Sequence, residues 1–181
     1  LSEFPGPVDI VPEYVGGLGD QPNTDANGED AAPISTSDLD ETLTAMDPLL
    51  AEKGITLLAA SEAASQNAYF VTQDYSDSEG VTQLSDLEGQ SIKLAAAPHC
   101  EGRGDCEGGL TDVYAIDIEL LPLGYASPQT YQAVVEGEAQ LGQTGTLDGT
   151  LDDQGLVLLE DDRGIQPAQN LVPAVATDFL E

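Results

Sequence analysis

Pro98–Asp117, read as PHCEGRGDCEGGLTDVYAID, holds both cysteines, the single histidine and one of the four basic residues of the chain. Three chemistries are open to Cys100 and Cys106: zinc ligation, free thiols or a disulfide. Neighbouring side chains such as His99 and Cys100 rarely converge on one ion, and the spacing fits no common zinc pattern. The reading is therefore a short disulfide-closed loop that presents Arg103, with no metal. A loop of this size stabilises a fold by roughly 2 kcal/mol through the unfolded state. A disulfide implies an oxidising, extracytoplasmic setting.

Other reactive patterns are thin. His99 beside Cys100 reads as a loop-surface histidine. Asp152-Asp153 and Glu160-Asp161-Asp162 could do acid–base work, but 34 acidic residues produce such pairs by chance. Arg103-Gly104-Asp105 is a common accidental triplet. Glycine-rich phosphate loops and the serine nucleophile elbow are absent. Asn23, Asp25, Asn27 and Gly28 mimic the start of a calcium loop, yet Ile34 stands where a bidentate Glu belongs. No cofactor is expected.

The net charge of −30 excludes nucleic acid, because nothing here neutralises a row of phosphates. It equally opposes docking on an anionic membrane. An acidic, hydrated surface suits high salt, where self-repulsion is screened. With 40% hydrophobic residues and no Trp, the chain has a core built from Leu, Val, Ile and Ala. No apolar run is long enough to span a membrane. The amino-terminal LSEFPGPVDI lacks the features of a signal peptide.

Eight apolar runs read as strands: 8–11, 56–60, 68–72, 92–97, 118–123, 139–142, 156–159 and 171–176. Most are continuous rather than alternating, as in strands buried on both faces. A helix capped by Ser37 carries Leu39, Leu43, Met46, Leu49 and Leu50 and ends at Lys53-Gly54. Ser85 caps a short turn through Leu87, and Leu110, Val113 and Tyr114 share a helical face. Ser127-Pro128 starts a helix that stops at Gly137. Gly16–Pro33 reads as a loop. The order predicts an α/β fold with mostly parallel sheets. Ligands of such sheets lie beyond the carboxyl ends of strands. Those ends are Glu13-Tyr14, Pro98–Arg103, Gly124–Ser127 and Gln143–Asp148. Tyrosine faces hold quaternary ammonium groups, and arginine holds carboxylates. A betaine needs both.

The ordered segments VDIVPEYVGG (Val8–Gly17), NAYFVTQDY (Asn67–Tyr75), LSDLEG (Leu84–Gly89), LAAAPHCEGRGDCEGGLTDVYAID (Leu94–Asp117), LPLGYASPQTYQAVVEGEAQLG (Leu121–Gly142), LVLLEDDRG (Leu156–Gly164) and PAQNLVPAV (Pro167–Val175) resemble the glycine betaine/choline-type substrate-binding proteins of ABC importers. The resemblance implies a two-lobed type II periplasmic-binding-protein fold that closes on a solute between its lobes. Lobe I comprises residues 1–67 with 171–181 and is incomplete relative to the family; lobe II is 68–170. Asn67–Thr72 leads into lobe II and Leu171–Ala176 leads back.

The resemblance gives Tyr14 to the aromatic cage of the ligand and sets Arg103 to face either the ligand's carboxylate or a partner acid across the cleft. Full aromatic cages in the family place further aromatics near Asn67, near Thr144–Thr146 and near Gln169. Polar residues stand there in this chain, so Asn67 and Thr146 join the ligand set, with Tyr125 added as a compensating aromatic. The implied protein is a non-enzymatic, extracytoplasmic receptor, monomeric and lipid-anchored when full length. Its partners are a small zwitterionic or cationic osmoprotectant and a membrane permease. The alternatives are a halophilic carboxylate-based hydrolase and a ligand-free acidic structural domain.

Overall fold

The computed structural model describes residues 4, 6–28 and 31–180. Glu29 and Asp30 of the expected loop, and parts of the amino-terminal segment read above, lie outside these residues. The chain divides into two compact units, Leu1–Ser65 with Pro167–Glu181, and Gln66–Gln166.

The first unit holds β1 (Ile10–Tyr14), α1 (Val15–Asn27), α2 (Leu39–Glu52), β2 (Ile55–Leu57) and a late strand, Leu171–Ala176. That late strand lies between β1 and β2 and runs antiparallel to both, with Ile10 opposite Val175 and Ile55 opposite Ala176. The helices bury Val15, Leu18, Met46 and Leu50 against Ile55, Val172 and Ala174. Asp38, not Ser37, caps α2, its carboxylate accepting from Glu41 N at 2.8 Å.

The expected Gly16–Pro33 loop is corrected by α1. Local propensity opposes a helix here, since glycine, asparagine and a proline at position 22 all weaken one. Burial overrides it: Val15 and Leu18 are enclosed. A Cβ at Gly19 would sit 3.4 Å from Met46 Cβ, so the glycine lets the two helices approach. The helix start is anchored by Val15 N and Gly16 N, which donate to the carbonyls of Asn170 and Ala168. Asp20 then holds the returning chain through Ile34 N, Ser35 N and Ser35 Oγ.

The second unit contains β3 (Asn67–Thr72), α3 (Gln73–Glu79), β4 (Ser91–Ala96), α4 (Glu107–Asp112), β5 (Asp117–Pro122), α5 (Pro128–Val135), β6 (Leu141–Gly145) and β7 (Leu156–Leu159); the late strand of the first unit is then β8. The sheet order is β5-β4-β6-β3-β7. β4 runs parallel to β5 and β6, whereas β3 is antiparallel to β6 and β7. The sheets are thus antiparallel in one unit and mixed in the other, where mostly parallel sheets were expected. Continuous apolar runs report burial on two faces but not strand direction. Tyr69, Val71, Leu94 and Ala96 enter one core with Leu110 and Tyr114, while Phe70 and Ala95 enter another with Ala133 and Val134.

α5 begins as its Ser-Pro start dictates: Ser127 Oγ accepts from Thr130 N at 3.1 Å. Val113 is exposed although it follows α4 closely, so it does not share the buried face of Leu110 and Tyr114. Among the described residues no helix is long and apolar enough to cross a membrane.

Candidate functional site

Parallel β4, β5 and β6 bring their carboxyl ends to one edge of the sheet. Antiparallel β3 brings its amino end there, with Asn67 opposite Gly145. Each strand end then delivers one polar segment to the same edge.

After β4 comes the closed loop. Cys100 and Cys106 form a disulfide, with Cα atoms 5.3 Å apart. Both cysteines are buried, and Gln143 staples them to β6: its Oε1 accepts from Ala97 N at 3.1 Å and its Nε2 lies 3.3 Å from Cys106 Sγ. Inside the loop Arg103 forks onto Asp105, Nε to Oδ1 at 2.7 Å and Nη2 to Oδ2 at 2.5 Å. This hydrogen bonding raises the guanidinium's pKa further, so Arg103 stays charged.

Asp105 is held from other sides too. Its backbone carbonyl accepts from Tyr69 Oη at 3.0 Å and Gln166 Nε2 at 2.7 Å, and Asn67 Nδ2 lies 3.4 Å from its Oδ2. Burial, and then the Asp105 charge, push the Tyr69 phenol up. Gln166 is buried, and its Oε1 has no hydrogen-bond partner.

The segment after β6 is organised by Asp148. Its carboxylate accepts from Tyr131 Oη at 2.5 Å, Thr144 Oγ1 at 2.7 Å, Thr150 Oγ1 at 2.7 Å and Thr150 N at 3.0 Å. Burial pushes this carboxyl up, but the hydrogen bonds outweigh it and hold Asp148 well below the usual carboxylate range. Thr146 is clamped to the start of β3: its N donates to Gln66 O at 3.0 Å, and its Oγ1 accepts from Gln66 N at 3.2 Å. Tyr125, after β5, lays its hydroxyl over Gly145, where an added Cβ would stand 2.7 Å away. The Tyr125 phenol is pushed up by burial and by the Asp148 charge.

Asn67, Arg103, Tyr125 and Thr146 therefore share one edge of the second unit. Tyr14 belongs to the first unit, where it ends β1 as an exposed residue. Sequence reasoning missed the two organising carboxylates. Asp105 was passed over within an accidental triplet, although its spacing of two from Arg103 allows a self-closing pair. Asp148 stood only at the end of a span, although Asp-Gly-Thr is a turn signal. A separate groove of about 490 Å³ on α5 is lined by Pro128, Tyr131, Gln132, Val135 and Gln154. It includes none of the expected ligand residues. Among the described residues no group of His, Cys, Asp and Glu is arranged to hold a metal.

The family described as the substrate binding domain of ABC-type glycine betaine transport systems matches residues 5–181. The fold is similar to that of apo YehZ from Escherichia coli, with TM-score 0.68, 23% identity, and coverage of 96% of this chain and 64% of that one. It is also similar to a glycine betaine/carnitine/choline ABC transporter structure, with TM-score 0.71, 21% identity, and coverage of 96% and 62%. The chain thus spans less than two thirds of the length of these solved relatives. No curated protein matches it. The α/β periplasmic-binding-protein fold follows from these likenesses.

Proposed function

The chain belongs to the family of substrate-binding domains of ABC-type glycine betaine transport systems, and from that premise we propose that it is the extracytoplasmic solute-binding component of an ABC importer. The solute is a small zwitterionic or quaternary-ammonium osmoprotectant, and the partner is a membrane permease. The two compact units act as the lobes. The role is binding, without covalent chemistry, so the hydrolase reading of the acidic pairs finds no support in the family.

The observation that carries this reading is the family match over almost the whole chain. The geometry supports it, because four of the five expected ligand residues meet at one strand-end edge. We assign Asn67, Arg103, Tyr125 and Thr146 to the solute there, and Tyr14 on the family resemblance alone. Ligand that prefers the closed state shifts the population toward it, and that state docks on the permease.

A thermal-shift titration against glycine betaine, proline betaine, choline and carnitine tests the proposal. A solute that binds only the folded chain raises the melting temperature by about 5–10 °C at a hundredfold excess over its Kd. Clean melting with no shift for any of the four would sink the proposal.

Gly145→Ala is a sharper probe. Its Cβ must displace the Tyr125 hydroxyl, a side-chain end free to swing aside. The melting temperature is expected to move little, while solute affinity falls by about tenfold, in keeping with the loss of one aromatic contact on a cation. Unchanged affinity would remove Tyr125 from the site.

A further inference from the structure

Asp105 gathers hydrogen-bond donors. Arg103 Nε and Nη2 and Asn67 Nδ2 point at its carboxylate, and Tyr69 Oη and Gln166 Nε2 point at its backbone carbonyl. A carboxylate paired with arginine and a backbone carbonyl only accept, so each amide must turn its NH2 end toward Asp105 and its oxygen away. Asn67 Oδ1 and Gln166 Oε1 are thereby left over as acceptors. Among the described residues neither oxygen receives a donor, although Gln166 is buried.

We propose that this edge selects a solute whose cationic group carries an N–H, a partly methylated ammonium, over a quaternary ammonium, and that Asn67 is the specificity-determining residue whose Oδ1 accepts that N–H. The inference deepens the solute-binding reading and rests on it. A quaternary ammonium has no donor to give and would leave the acceptors unpaired. A site that offers hydrogen bonds discriminates strongly against the analogue that cannot make them. Asn67 is part-buried and within a solute's reach. The unpaired Gln166 Oε1 raises the free energy of the solute-free state, and a solute N–H, or a water that it orients, relieves this.

The aromatic residues point the same way. Quaternary ammonium groups are held by cages of aromatic faces. Near this edge Tyr69 is enclosed, Tyr131 stacks on Phe70, and Tyr125 is exposed. One exposed face suits a cation that is apolar on one side and donates from another. Ionised Asp148 beside Tyr125 favours a cation there. Asp105 takes only the Nε–Nη2 side of Arg103, and the side chain is half exposed, so its outer Nη1–Nη2 edge serves a solute carboxylate. The fitting solute is therefore a zwitterion with a carboxylate, an alkyl surface and at least one ammonium N–H.

Glycine betaine, dimethylglycine and sarcosine test this, because each step replaces one N-methyl group by a proton at constant charge. Titration calorimetry at neutral pH should show dimethylglycine binding about tenfold tighter than glycine betaine, the scale of one hydrogen bond from a charged donor. Asn67→Leu keeps the side-chain size and removes the acceptor. In that variant the dimethylglycine to glycine betaine affinity ratio should collapse to about one. A general loss of structure would weaken both solutes and leave the ratio standing.

Glycine betaine binding as tightly as dimethylglycine, or tighter, in the parent chain would overturn the proposal while the solute-binding reading stands. So would a ratio that survives Asn67→Leu. Should none of the three compounds bind, nor any of the four in the thermal-shift series, the solute-binding reading fails and this inference falls with it. If Asn67→Leu does not melt cooperatively, Asn67→Ala carries the same comparison.

Discussion

Gly142→Ala is expected to unfold the second unit at temperatures where the parent chain is intact. Gly142 lies in β6, opposite Phe70 of β3 and beside Ala95 of β4. A Cβ there would fall 2.2 Å from Phe70 Cζ and within 2.8 Å of two further ring carbons. The phenyl ring crosses the strand where the side chain is missing. It cannot easily retreat, since Phe70 is fully buried and stacks on Tyr131 with centroids 5.2 Å apart. Tyr131 is itself fixed through its hydroxyl by Asp148 and Thr144. Overpacking of this kind costs about 3 kcal/mol, or roughly 10 °C of melting temperature for a chain of this size.

The cause is space rather than backbone strain, which makes the effect separable. Phe70→Leu in the Gly142→Ala background should recover stability, although Phe70→Leu alone loses it. That non-additivity is the signature of two groups competing for one volume. A Gly142→Ala melting temperature within ~2 °C of the parent would show that the sheet relaxes by some other route.

What was legible in the sequence follows from which forces act locally. In the second sheet β3 and β4 appear as apolar runs because both faces there are covered, so Phe70 and its neighbours Tyr69 and Val71 are buried together. α5 announces itself through Ser127-Pro128, and α2 through its periodic leucines. α1 did not, because its glycines, asparagines and Pro22 read as loop until Met46 and Leu50 supply the surface that Val15 and Leu18 bury against. α3 is seven residues long and buries only Ser76, so it has no apolar stripe to read. Its cap, Thr72 Oγ1 accepting from Tyr75 N, is visible only in three dimensions.

The candidate site divides the same way. Strand ends pointed to Arg103, Tyr125 and Thr146, and the family resemblance added Asn67. Most partners in this site come from residues distant in sequence: Gln66 for Thr146, Tyr69 and Gln166 for Asp105, and Tyr131 for Asp148. Residue type shows that a carboxylate is present. Only the fold shows which donors it receives, and hence whether Arg103 meets a solute or its own neighbour.

Stability is expected to climb with monovalent salt, by on the order of 10 °C in melting temperature between 0.1 and 2 M. The net charge is −30, and all four cations are already spent on ion pairs. Most of these pairs join partly exposed side chains, where such contacts contribute little. The remaining carboxylates repel one another with no internal counter-charge, and unfolding lets them move apart. Near 0.1 M that repulsion reaches about 10 Å, and near 1 M only about 3 Å. Sucrose, which favours burial without screening charge, should give a smaller rise, and Glu136→Gln with Asp152→Asn and Asp153→Asn should flatten the salt curve. A melting temperature flat with salt would mean the acidic surface is not a folding cost. Binding should respond in the opposite sense: if the Asp148 edge attracts a cationic solute through its charge, choline affinity falls as salt rises while the fold strengthens. The two opposing slopes separate a surface that needs counter-ions from a site that uses its negative charge.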